Sequence, residues 1–156
     1  MLDLTQSVFN LLKDRHFKIV TAESCTGGLI AKSLTDKMGS SAVFDRGYIT
    51  YSNQSKIDLL GVKTETLAAR GAVSKEVARE MAIGALKQSG DLAISVTGIA
   101  GPDGGSADKP VGLVFIGFVQ KNYEPLVFQN NFTGTRDEVR NAAMQAAFQI
   151  ILDNVK

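Results

Sequence analysis

The chain has 156 residues, 44% of them hydrophobic, enough for one domain around one sizeable core. Its 17 basic and 16 acidic side chains are mixed along the chain and leave a formal charge of +1, so neither nucleic acid nor an anionic membrane is an expected partner. No apolar run approaches the roughly eighteen residues of a membrane span, the opening MLDLTQSVFNLLKDR is an amphipathic helix pattern rather than a signal peptide, and a lone cysteine makes no internal disulfide, which together point to a cytoplasmic protein.

Val8, Leu11 and Leu12 give the first helix its apolar stripe, and residues 18–21 read as a strand. AESCTGG follows at residues 22–28, a sharp turn with two hydroxyls, the thiol and paired glycines, leading into a short helix over residues 28–35. Residues 43–51 (VFDRGYITY) are rich in β-branched and aromatic side chains and read as a strand, after which Ser52 caps a helix over residues 53–60 that Gly61 ends. Ser74 caps a longer helix through Lys87 with Val77, Met81 and Ala85 on one face. Residues 92–97 form a continuous apolar strand, and the glycine-rich loop GIAGPDGGSADKP occupies residues 98–110. Residues 111–119 and 126–132 pair as antiparallel strands. Thr135 and Glu138 make a capping box for a last helix to about Asp153. The alternation predicts an α/β fold, a single domain over residues 1–156 with a mixed β-sheet between helix layers in a three-layer α/β/α arrangement.

Four features carry chemistry. A strand-to-helix turn presents side chains at the carboxyl end of a sheet beside the free N–H groups of the helix's first turn, which suits a nucleophile or an anion. Lys56 sits near the positive end of a helix dipole, where the neutral amine gains over the ammonium. Position alone leaves a solvated surface lysine equally open. Gly98, Gly101, Gly104 and Gly105 let the loop backbone approach a ligand closely, although the loop matches neither the Walker pattern nor GxGxxG before a helix, and a plain connection is the other reading. Arg136, beside a helix N-terminus, gains nothing from the dipole and calls for an anionic partner, a protein carboxylate or a ligand phosphate. His16, the one histidine, lies at the polar end of the first helix, and no carboxylates cluster at ligand spacing, so no metal and no other cofactor is expected.

AESCTGG, RGYITYSNQSK (46–56), GAVS (71–74), EMAIGAL and SVTGIAGPDGGSADKPVG occur in one order, and together they resemble the CinA carboxy-terminal domain family from about Thr21 to Arg136. Longer members carry an additional amino-terminal domain to which a pyrophosphatase activity is assigned; no counterpart of it is present in this sequence, so that activity is not expected. The resemblance implies hydrolysis of the carboxamide of nicotinamide mononucleotide to nicotinate mononucleotide and ammonia, in pyridine-nucleotide recycling, by serine–lysine amidohydrolase chemistry. It implies Ser24 as nucleophile and Lys56 as general base, with Tyr51 assisting orientation or proton transfer. The Cys25 and Thr26 amides, with Gly27 next to them, are expected to line the oxyanion hole, Thr97 to donate a side-chain hydrogen bond, and Arg136 with Gly98 and Gly101 of the 98–105 loop to hold the 5′-phosphate. Family members imply a homo-oligomer, a dimer. Two other readings stand beside this one: Cys25 as the nucleophile, and a non-catalytic nucleotide-binding or regulatory domain.

Overall fold

The computed structural model describes residues 3–156. The elements run α1 (Leu4–Arg15), β1 (Ile19–Glu23), α2 (Leu29–Thr35), β2 (Phe44–Ile49), α3 (Asn53–Leu60), α4 (Thr64–Arg70), α5 (Lys75–Gln88), β3 (Leu92–Gly98), β4 (Leu113–Gln120), β5 (Leu126–Asn131) and α6 (Arg136–Asn154). The strands form one mixed sheet in the order β2-β1-β3-β4-β5. β1 is parallel to both β2 and β3, whereas β3, β4 and β5 pair antiparallel.

Alternation along the strands divides the core between the two faces of this sheet. Ile19 of β1, Ile94 of β3 and Ile116 of β4 pack under Val8 and Leu12 of α1, Ile30 and Leu34 of α2, and Phe148 and Ile151 of α6. Val20 and Ala22 of β1 and Ala93 of β3 face the other way, onto Leu60 of α3, Leu67 of α4, and Val77, Met81 and Ala85 of α5. The arrangement is the expected α/β/α sandwich.

The caps follow the residues that predict them. Ser52 accepts from the Ser55 N–H in a reciprocal capping box, Gly61 closes α3 at φ 67°, Ser74 caps α5, and Thr135 with Glu138 boxes the start of α6. The differences from the sequence reading are local: β1 continues to Glu23, two residues into the expected turn, β4 begins at Leu113 rather than at residue 111, and α4 and β2 differ as well. α4 is an additional helix, seven residues long and capped by Lys63 with no side-chain hydrogen bond, with Leu67 alone buried. β2 is shorter than residues 43–51 because its partner β1 ends at Glu23, opposite Ile49. Thr50 N–H donates to the Glu23 carbonyl, and the chain then leaves the sheet.

Gly84, within α5, lies against the end of α3: a Cβ there would be 1.8 Å from the Leu60 carbonyl oxygen. Only glycine permits this approach.

The chain passes from β1 to β2 through α2 on one face of the sheet and from β2 to β3 through α5 on the other. The two connections diverge beside β1, so a crevice opens at the carboxyl ends of β1 and β3, where ligands bind in open α/β sheets.

Candidate active site

Ser24 follows the last residue of β1, and its N–H is tied to the Val96 carbonyl of β3. Gly27 and Gly28 then take φ 58° and 101°, a pair of left-handed residues that turns the chain sharply into α2. A Cβ on Gly27 would also meet Arg140 Nη2 at 3.3 Å. The Gly27 N–H returns to the Ser24 carbonyl, while the Cys25 and Thr26 N–H groups donate to no described residue.

The first turn of α2 is not the open anion site that the sequence suggests. The Glu23 carboxylate folds over it and accepts from Ile30 N–H at 2.9 Å and Ala31 N–H at 3.0 Å. Glu23 is almost fully buried and supplies the negative charge that the positive end of the helix favours. The donors of this turn without a partner among the described residues are therefore the amides of residues 25, 26 and 28, outside the helix.

Lys56 lies on the fourth residue of α3 and is 1% exposed, the largest fully buried side chain of the described residues. Its Nζ is 3.0 Å from Ser24 Oγ and 2.6 Å from the Thr50 carbonyl oxygen. Burial pushes its pKa below 10.5, with the Cys25 thiol a smaller opposing influence. Among the described residues no carboxylate contacts the amine to hold it charged. In the neutral amine one N–H serves the Thr50 carbonyl, and the lone pair is left for the Ser24 proton.

The Cys25 thiol has the opposite character. It is buried, and desolvation pushes its pKa up to about 11, so the thiolate that a cysteine nucleophile requires is strongly disfavoured. His16, in the left-handed cap of α1 and exposed, does not line the Ser24 cleft.

Ser24, Cys25 and Lys56 open into a cleft of about 260 Å³. Tyr51, Thr97, Gly98, Gly101 and Arg136 line it too, so the structure gathers these sequence-selected residues in one place. Their bonding differs in detail from the expectations. Thr97 Oγ1 donates its proton to the Ala72 carbonyl at 2.8 Å and turns only acceptor capacity to the cleft. The Tyr51 phenol is bonded to neither Ser24 nor Lys56; it accepts from Arg136 Nη2 at 2.7 Å. Arg136 Nη1 donates to the Gly101 carbonyl at 2.8 Å, linking α6 to the glycine-rich loop.

Sequence reasoning missed Arg140. Its Nε donates to the Cys25 carbonyl and its Nη2 to the Thr26 carbonyl, each at 3.1 Å. The Cys25 carbonyl and the Thr26 N–H belong to one peptide unit, so the guanidinium polarises that N–H toward better donation. The signal was present: Arg140 is four residues beyond Arg136 on one helix, and such residues share a face. Asn53 and Asp103 also line the cleft and carried no sequence signal of their own.

The sequence matches the CinA C-terminal domain over residues 1–155. The chain belongs to the CinA C-terminal domain family. Among CinA relatives, the nicotinamide-nucleotide amidohydrolase PncC of Escherichia coli K12 is 50% identical over 152 residues, covering 97% of this chain and 92% of that protein. A putative competence-damage inducible protein of Caldicellulosiruptor saccharolyticus is 52% identical over 149 residues, which are 95% of this chain and 36% of its own length. The crystal structure of the competence/damage inducible protein CihA from Agrobacterium tumefaciens superposes with a TM-score of 0.94 at 46% identity, covering 96% of this chain and 92% of that one. No helix of the described residues is long and apolar enough to cross a membrane.

Proposed function

We propose that this CinA-family chain is an amidohydrolase that converts nicotinamide mononucleotide to nicotinate mononucleotide and ammonia, with Ser24 as nucleophile and Lys56 as base. The buried contact of 3.0 Å between Lys56 Nζ and Ser24 Oγ, at the head of an open cleft, carries this reading. The half-identical relatives named for nicotinamide-nucleotide amidohydrolysis support the choice of substrate.

The neutral Lys56 amine takes the Ser24 proton as Oγ attacks the carboxamide carbon. The carbonyl π electrons move onto oxygen, and the Cys25 and Thr26 N–H groups receive the oxyanion. The Lys56 ammonium then returns the proton to the amide nitrogen, the C–N bond breaks, and ammonia leaves an ester on Ser24. Water, deprotonated by the again neutral amine, adds to that ester. Collapse expels the Ser24 oxygen, which recovers its proton from Lys56, and the acid so formed gives its remaining proton to solvent and departs as the carboxylate. At the other end of the substrate, Arg136 with the Gly98 and Gly101 backbone holds the 5′-phosphate. The reaction belongs to pyridine-nucleotide recycling in the cytoplasm.

Ammonia release from the mononucleotide by wild-type protein and by Ser24→Ala tests the assignment. Turnover by wild type and none by a folded Ser24→Ala protein is the expected result. Mononucleotide binding without ammonia release by wild type would favour a non-catalytic nucleotide-binding domain, and an active alanine variant would exclude Ser24 as nucleophile.

A further inference from the structure

Thr50 and Tyr51 are neighbours with opposite fates. The Thr50 side chain is fully buried and its carbonyl seats Lys56, whereas the next side chain, Tyr51, is 61% exposed at the mouth of the cleft. Its oxygen accepts a hydrogen bond from the Arg136 guanidinium at 2.7 Å. A phenol has one proton as well as lone pairs, and the Tyr51 proton goes to no described residue. Accepting from a cation strengthens that O–H as a donor.

Arg136 is held by neutral partners alone, the Tyr51 oxygen and the Gly101 carbonyl. Among the described residues no carboxylate lies within ion-pair distance of it, and Asp103, which lines the same cleft, does not pair with it. An uncompensated guanidinium with remaining N–H groups and a polarised O–H beside it form a donor set without an anion.

The geometry points to Tyr51 as the second arm of an anion clamp: its phenol O–H and the remaining Arg136 N–H groups grip the terminal phosphate, and Tyr51 takes no part in proton transfer at Ser24. This assignment rests on the proposed mononucleotide substrate. The Arg136–Tyr51 bond holds both donors in place, so little side-chain freedom remains to be lost on binding. The bond to Gly101 extends the clamp to the glycine-rich loop, so engagement of the phosphate also steadies the wall of the cleft.

Tyr51→Phe, an exposed substitution that removes one oxygen, isolates the arm. For the mononucleotide, KM should rise about tenfold, the effect of one hydrogen bond to a charged group, with kcat within about twofold of wild type. The kcat/KM of nicotinamide riboside, which lacks the phosphate, should not change. Ribose 5-phosphate titrated calorimetrically into the wild type should bind, and into Tyr51→Phe should bind about tenfold more weakly. A fall in kcat on both substrates at unchanged KM would return the phenol to the reacting centre and overturn the clamp. So would equal ribose 5-phosphate affinity in the two proteins, or none in the wild type. Because the titration needs no turnover, a protein that binds ribose 5-phosphate through Tyr51 yet releases no ammonia would sink the proposed function and leave the clamp standing.

Discussion

A buried amine that works neutral must cost the fold stability, and that cost must disappear at high pH. Lys56 is 1% exposed and its pKa lies below 10.5, so between the folded and unfolded values the unfolded chain binds a proton that the native protein does not. Stability therefore rises with pH across that window, by about 1.4 kcal/mol per pH unit, and below the folded value the full penalty is present. Lys56→Met fills the same space without titrating. It also forfeits the hydrogen bonds to Ser24 and the Thr50 carbonyl, a loss that offsets some of the gain but is the same at every pH. The variant should thus be inactive, and its Tm relative to wild type should be highest at low pH and fall by about 3–6 °C per pH unit through the window, taking about 2–4 °C per kcal/mol for a chain of this size. Thermal unfolding of both proteins at a series of pH values measures the difference directly, since all other titrations are shared. A Tm difference that stays constant from about pH 6 to the ordinary lysine range would refute the argument and imply an amine that is no easier to neutralise than one in water.

The same ionisation should appear in catalysis: kcat/KM for the mononucleotide is expected to rise with pH along a limb below 10.5, and Lys56→Arg to be inactive because guanidinium does not deprotonate. A flat profile over about pH 6 to 9, or an active arginine variant, would remove Lys56 from the role of base. Arg136→Ala, at an exposed residue, should weaken use of the mononucleotide by roughly 1.5–3 kcal/mol in kcat/KM while leaving the riboside little affected; equal losses on both substrates would argue against phosphate binding. Arg140→Met should lower kcat about 10- to 100-fold with KM nearly unchanged, a fraction of the loss seen when an oxyanion donor is removed outright, because the residue polarises the donor without being it. A change confined to KM would place Arg140 in substrate binding instead.

The elements with a strong local signal were legible from sequence: the stripes of α1 and α5, the boxes at Ser52 and Thr135, the stop at Gly61. α4 was not, because seven residues with one buried leucine make no periodic stripe and Lys63 is no capping residue. The turn at residues 22–28 declared itself, but Glu23 did not. A carboxylate at a strand end reads as solvent-facing until the next helix is known to begin above it. The Ser24–Lys56 contact spans 32 residues and is encoded by no spacing; it follows from β1 and α3 meeting at one end of the sheet, and only the family resemblance named it in advance. Arg140 needed the same knowledge of which helix face looks at the turn.

Gly84 gives this architecture an unusual vulnerability for anyone engineering it. Glycine in the middle of a helix ordinarily invites replacement by alanine, worth about 1 kcal/mol of helix propensity. Here the added methyl would collide with the Leu60 carbonyl and force α3 off α5, and α3 is the element that carries Lys56 to Ser24. A routine thermostabilising change, far from any ligand, would therefore translate into a misplaced amine, and the protein would retain its fold while losing the alignment of its reacting atoms. The tolerance of this scaffold to mutation is thus decided partly at a backbone contact between α5 and the end of α3, outside the cleft.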